Sequence, residues 1–453
     1  MSQTTTRDMT KGSILSQLIL FALPLLLGNA FQLLYNMVDT IVVGNFVGKE
    51  ALAAVGSTTM IINMVVFFFN GFSVGASVVI ARSFGAKDFE KLHKSIETTM
   101  AMTLALGVFF TAFGMLAVKP MLRLMATPED VVPEATVYLR TYMAGISGLM
   151  IYNMASGILR AVGDTKRPLY FLIFCSILNM VLDVTFVVLL KMGVFGVAFA
   201  TIVAQFISAA LVIRLLTKTS DVYKLTWTDL RVDRGIMSQI VQVGLPAAIQ
   251  STITSLSNTF VQSYVNFFGS SVMAGWSCYN KLDQFLFLPI NSMSNAATTF
   301  VSQNTGAKEM RRVNKGTMVA VSVSFSVTFL ITLILFTFAE PANGIFTKDP
   351  EVIRYGSMFI RGNVWFLLAN SIGHTMGGAI RGRGDSKGPM FIVLFSFVLI
   401  RQIYLFLMTR FYANTPLVVA RGYPVGWVIC GVLMATYYYI KFARGKKEEQ
   451  IRR

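Results

Sequence analysis

Long apolar runs separated by short polar breaks dominate this chain. A helix rises about 1.5 Å per residue, so about 20 mostly apolar residues span a bilayer core. Twelve such runs occur, at 14–43, 52–81, 94–118, 134–160, 168–190, 194–216, 236–268, 272–303, 314–339, 352–380, 388–411 and 416–441. Six fall on each side of the longest polar connector, which carries Lys218, Asp221, Lys224, Asp229, Arg231, Asp233 and Arg234. The pattern predicts an all-α integral membrane protein of twelve transmembrane helices in two homologous six-helix bundles. The expected organisation is an N-lobe at 1–216, a linker at 217–235, a C-lobe at 236–441 and a basic tail at 442–453.

The homology of the two bundles is written in the chain. The stretch from Gly157 to Pro168, with Arg160, Gly163, Asp164 and Lys166, returns 221 residues later from Gly378 to Pro389, with Arg381, Gly384, Asp385 and Lys387. Leu23-Pro24 returns as Leu245-Pro246, and Gly85-Ala86-Lys87 as Gly306-Ala307-Lys308, in the same order. Solenoid and propeller repeats run only to about 50 residues, so a repeat of this length is a duplicated domain. The Gly-Asp motifs lack the Gly-Lys-Ser/Thr order of a phosphate loop; their glycine, aspartate and proline suit a tight turn feeding the next span.

Composition agrees with burial in lipid: 54% of residues are hydrophobic and 13% charged. The net charge of +17 is spread over short loops between apolar runs, which excludes a nucleic-acid partner. With the N-terminus placed in the cytoplasm, inner segments hold 27 Lys and Arg and outer loops hold seven, so a multi-pass cell-membrane protein with both termini cytoplasmic is expected. The first apolar run is too long for the core of a cleavable signal peptide. An even number of spans per half gives both halves the same direction, hence a pathway between parallel repeats. Cys175, Cys278 and Cys430 stand alone in apolar runs, without metal spacing or a disulfide framework.

Ionisable groups inside spans are costly and mark function by default. Asp39 lies near the outer end of the first run and Asp183 in the fifth, with Asn179 one helical turn before it. Asp183 precedes Lys191 by eight residues and Thr201 follows Gly193 by eight, so both sit roughly 12 Å below the outer boundary. Two carboxylates, an amide and a hydroxyl form an oxygen-rich set suited to Na⁺ or to a shared proton. In the second half their places fall to Val261 or Phe260, Ile400 and Tyr404, so the ion site is not duplicated. The second half instead carries Lys281 and Asp283, His374, Arg361 (matching Arg140) and Arg401, the last expected to balance a buried acid.

The paired motifs at 157–168 and 378–389, the Leu-Pro pairs, Asn36-Met37-Val38-Asp39-Thr40 and the Gly-Ala-Lys loops resemble those of MATE multidrug and toxic compound extrusion transporters, from about Gly12 to Lys441. The resemblance implies a V-shaped pair of six-helix lobes and export of organic cations in exchange for H⁺ or Na⁺. The set Asp39, Asn179, Asp183 and Thr201 is similar to the N-lobe cation site of the DinF-like branch. No carboxylate stands on the seventh or tenth run, where the NorM-like branch places its C-lobe acids. For the substrate cleft, Gln32, Tyr35 and Asn36 on the first run face candidates Gln250, Asn258 and Gln262 on the seventh, with Tyr279 as an aromatic wall. Pro24 and Pro246 each remove a helical hydrogen bond and serve as candidate hinges. The expected partners are small organic cations and membrane lipids, the coupling ion replaces any cofactor, and a monomer suffices. A flippase of lipid-linked precursors has related architecture and is the alternative within transport. A membrane enzyme would need clustered His, Cys or acids at one depth, and the chain has two histidines.

Overall fold

The computed structural model describes residues 6–47, 49–125 and 127–444, in which helices account for nearly all regular structure and no strand occurs. Residues up to the linker form α1 (Ile14–Phe46), α2 (Lys49–Gly85), α3 (Phe89–Leu124), α4 (Val132–Ala144), α5 (Ile146–Ala161), α6 (Lys166–Asp183) and α7 (Gly193–Lys218). Beyond it lie α8 (Arg234–Asn266), α9 (Ser270–Gly306), α10 (Met310–Thr337), α11 (Ala339–Gly344), α12 (Pro350–Asn363) and α13 (Leu367–Gly382). The last four are α14 (Lys387–Val393), α15 (Arg401–Phe411), α16 (Pro416–Ala420) and α17 (Gly422–Tyr438). Each of the twelve predicted runs lies on one of these helices or on a broken pair of them.

Eight helical stretches of the described residues are long and apolar enough to cross a membrane: α1, α2, α3, α6 with its extension, α7, α10, α14–α15 and α16–α17. The other four of the twelve spans are α4–α5, α8, α9 and α12–α13, which carry more polar side chains. Large apolar residues such as Val108, Leu116, Phe174 and Phe391 stand exposed on the surface, as lipid contact requires.

Four of the six residues shared by the doubled motif perform the same physical task in both copies. Gly157 lets α5 cross α2, because a Cβ there would lie 2.6 Å from Ser73 Oγ; at Gly378 on α13 it would lie 2.6 Å from Ser294 Oγ on α9. Ser77 donates to the Gly157 carbonyl at 3.0 Å and Thr298 to that of Gly378 at 2.9 Å. Arg160 reaches Ser73 and Arg381 reaches Ser294, each at 3.5 Å. Gly163 and Gly384 take φ of +88° and +85°, which only glycine adopts without strain. Asp164 then accepts from the Arg167 N–H at 3.2 Å and Asp385 from the Gly388 N–H at 3.1 Å, capping the first turn of the helix that follows.

The Gly-Ala-Lys loops also match. Lys87 and Lys308 have φ of +56° and +61°, and their helices close with paired bonds, Asp88 N to Ser83 O at 3.1 Å and Glu309 N to Asn304 O at 2.9 Å. A left-handed residue with a Cβ costs about 1–2 kcal/mol, partly offset by the entropy glycine would lose. Lys308→Gly is therefore expected to stabilise the fold by roughly 0.5–1 kcal/mol, seen as a raised midpoint in thermal unfolding of the purified protein.

The compact units do not part at the linker. One contains residues 6–8 and Leu27–Leu245, the other Met9–Leu26 and residues 246–444. The boundaries thus fall inside α1 and α8, beside the in-helix prolines Pro24 and Pro246. The linker packs within the first unit: Tyr223 is fully buried and accepts from Arg167 at 2.7 Å. In the second unit, Met9 is fully buried; its N–H donates to Gln303 Oε1 at 2.9 Å and its carbonyl accepts from Arg312 at 3.1 Å.

Candidate functional site

In the first unit, α6 carries Asn179 and Asp183 one turn apart, and α7, which packs against α6, carries Thr201. Their exposures are 2%, 0% and 3%, so all three predicted site residues are withdrawn from solvent. The Thr201 hydroxyl donates to the Val197 carbonyl at 3.1 Å, which leaves its oxygen to act toward any further partner as an acceptor. A buried carboxylate, an amide and a hydroxyl oxygen are hard donors of the kind that hold Na⁺ or exchange a proton. Asp39 lies on α1, but its side chain is outside the described residues. Among the described residues no three His, Cys, Asp or Glu side chains converge on one point.

Asp183 also ends the α-helical part of its span. Val184–Leu189 is a π-helix, a wider turn that is rare and concentrates at functional sites. The corresponding span of the second unit has its own π-stretch, Leu394–Ile400, placed differently relative to the repeat. There the adjoining buried charge is Arg401, 2% exposed, at the start of α15. Each unit thus sets one buried charge against a π-helical stretch in its fifth span, and the signs are opposite.

Arg401 was expected to meet an acid, and among the described residues it forms no ion pair. Its guanidinium donates to Ser257 Oγ at 2.6 Å and Asn258 Oδ1 at 2.9 Å, and lies 4.9 Å from the centre of the Tyr423 ring. Neutral oxygens and an aromatic face satisfy a delocalised cation that is less strongly hydrated than an ammonium. Apolar periodicity carries no sign of this network; only an unpaired arginine inside a run of apolar residues hinted at it.

The cleft candidates separate into distinct environments. Gln32 and Asn36 are exposed on α1 and Tyr35 is half-buried. On α8, Asn258 is exposed, Gln250 and Gln262 are half-buried, and Gln262 donates to Asn266 at 2.8 Å. Tyr279 is 3% exposed and sits in an aromatic cluster with Trp276 at 5.0 Å and Phe359 at 6.2 Å, inside the core of the second unit. Asp283 is partly buried on α9, while Lys281 lies 5.4 Å from the centre of the Phe346 ring. Arg361 pairs with Glu340 at 3.3 Å with both side chains exposed, a contact of small worth. His374 is edge-on to Phe287 at 5.9 Å.

A cavity of about 800 Å³ opens between the ends of α8 and α15, lined by Tyr264, Phe267, Phe406, Thr409, Arg410 and Phe411 among others. At the opposite end of this unit, Asp385 accepts from Tyr437 and from Lys441, each at 2.6 Å. Burial opposes ionisation of its carboxyl, but these bonds and the Gly388 N–H outweigh burial and hold the pKa below the usual carboxylate value.

Comparison with known proteins places this architecture. The family model described as MatE matches residues 24–185 and 246–407, two stretches that begin on the paired prolines. The chain is 26% identical over 450 residues to the probable multidrug resistance protein YoeA of Bacillus subtilis (strain 168), covering 98% of this chain and 97% of that one. It is 28% identical over 448 residues to the probable multidrug resistance protein NorM of Thermotoga maritima, covering 96% and 94%. A solved structure described as the outward-facing conformation of a multidrug resistance MATE family transporter superposes with a TM-score of 0.91 at 24% identity, covering 98% of this chain and 100% of that one.

Proposed function

The chain belongs to the MATE family, and on that premise we propose that it is a secondary active antiporter that exports amphipathic organic cations in exchange for H⁺ or Na⁺. The observation that carries this reading is the buried oxygen set of Asn179, Asp183 and Thr201 on α6 and α7, within a bundle of membrane-spanning helices. Asp39, the fourth residue of the expected set, lies on α1. A carboxylate with 0% exposure is held away from water at a cost that a coupling ion repays when it binds. Relatives named as multidrug resistance proteins support transport, and not catalysis, as the activity.

The mechanism follows from differential binding. Ion and drug each favour one of two conformations of the transporter, so binding of one disfavours the other. Pro24 interrupts α1 between its first turns and the segment that carries Asp39, and a change of charge at Asp39 then alters the bend of that helix. The protein resides in the cell membrane with both termini in the cytoplasm and acts as a monomer.

The test is ethidium transport by the full-length protein in proteoliposomes, with a pH gradient and a Na⁺ gradient imposed separately. One of the two gradients is expected to drive accumulation against the ethidium gradient, and dissipating it with the matching ionophore should return transport to the protein-free rate. Uptake that ignores both gradients and runs on ATP alone would overturn antiport.

A further inference from the structure

Helix α8 is fixed to α15 through a chain of hydrogen bonds whose direction has a consequence for recognition. The π-stretch Leu394–Ile400 disturbs the carbonyl ladder of its span, and Ser257 donates its hydroxyl proton to the Phe397 carbonyl at 2.8 Å. With that proton committed, the Ser257 oxygen accepts from Arg401 at 2.6 Å and from Gln402 at 3.1 Å. The other arm of Arg401 donates to Asn258 Oδ1 at 2.9 Å. A guanidinium has five N–H groups and no acceptor, so chemistry alone dictates that the oxygen of the Asn258 amide faces Arg401. Its NH₂ therefore points the other way, and among the described residues no protein group accepts from it.

Asn258 is exposed, and it belongs to a polar row on α8 with Ser251, Thr254, Gln262 and Asn266 at three- and four-residue spacing. Acyl chains cannot solvate such a row, so this face of a spanning helix meets water or a ligand. Ser251 and Thr254 donate to their own helix at 3.0 and 2.7 Å, and Gln262 donates to Asn266 Oδ1 at 2.8 Å. Asn258 is left as the position in the row whose outward polarity is set from behind by a buried cation. The charged bond to its oxygen polarises the amide and strengthens its N–H groups as donors. The aromatic cavity at the ends of α8 and α15 opens about two helical turns further along.

We propose that Asn258 is a donor-only specificity contact, oriented by Arg401, that selects transported molecules carrying a carbonyl or carboxylate oxygen on an aromatic body. The proposal rests on the efflux reading for its biological setting, while its own measurement is binding. Molecules that offer only N–H groups at this point meet donor against donor and lose one hydrogen bond, worth about tenfold in affinity. Arg401 is a positioning residue and touches no ligand.

The test compares two fluorescent probes by equilibrium binding to the full-length protein in lipid nanodiscs. Ethidium has aryl amines and no acceptor oxygen; a fluoroquinolone has an adjacent ketone and carboxylate. Asn258→Asp keeps the shape and the bond to Arg401 but turns the outward group into an acceptor. Asn258→Leu removes the donor without adding charge. Both variants are expected to weaken fluoroquinolone binding about tenfold, with ethidium binding unchanged in the leucine variant and unchanged or tighter in the aspartate variant. Arg401→Lys should shift the same ratio in the same direction, since an ammonium cannot hold Ser257 and Asn258 with one planar fork. Equal weakening of both probes would mark a structural role only and overturn the proposal, as would an unchanged ratio or a wild-type protein that binds neither probe. Failure of gradient-driven export with an intact binding ratio would instead remove the efflux reading and leave the contact standing.

Discussion

Asp183→Asn is expected to reduce gradient-driven ethidium transport about 100-fold, the scale on which losing an essential proton-exchanging group is felt. The substitution is nearly isosteric, so the close packing at this fully buried position on α6 is retained. What disappears is the one property that a coupling residue needs: a charge that can be gained and lost. An amide neither releases a proton in this range nor neutralises a bound Na⁺. Thermal stability should hold or rise, because a buried carboxylate is an expensive group to desolvate. That combination, an inactive protein of undiminished stability, separates a coupling role from a structural one. Asp39→Asn should match it, and full gradient-driven transport by both variants would remove the N-lobe coupling site from consideration.

Gly75→Val is the substitution expected to do most damage to the fold. On α2, a Cβ at Gly75 would lie 2.6 Å from the Gly244 Cα and 2.6 Å from the Ile240 carbonyl oxygen, both main-chain atoms of α8. Backbone cannot swing aside as a side chain does, so α8 must move bodily. Overpacking of this kind costs about 1–3 kcal/mol, giving a fall in unfolding midpoint of roughly 2–6 °C for a unit of this size. Gly56 on the same helix is the control. Nothing lies within 4 Å of a Cβ there, so Gly56→Val should leave the midpoint nearly unchanged. Equal shifts for the two variants would show that helix propensity, and not the crossing, sets the cost.

The parts of this structure legible in the sequence share a cause. Twelve spans can be read because each needs a long apolar run, and the twin inner turns because Gly163, Asp164, Gly384 and Asp385 perform local tasks with local residues. What was not legible depends on the backbone departing from its period or on partners far along the chain. The π-stretches at Val184–Leu189 and Leu394–Ile400 leave no mark on the apolar pattern, because a wider turn uses the same residues. The partners of Arg401 lie over 140 residues away and are neutral, so a search for an acid finds nothing. Four spans escape a strict apolar criterion because they carry polar side chains, and α8 with its row around Asn258 is one of them.

The partition of α1 and α8 bears on how such a chain arose. Met9–Leu26 belongs to the unit built mainly from the second half, and Arg234–Leu245 to the unit built from the first. A gene cut in the linker would therefore yield two fragments, each missing a piece that the other carries. Neither should fold alone, whereas co-expression should restore both. By the same logic, a single-copy ancestor would have been stable only as two identical chains trading their leading half-helices, an obligate swapped dimer. Fusion of two such copies would make that trade internal and leave each copy free to keep a different charge.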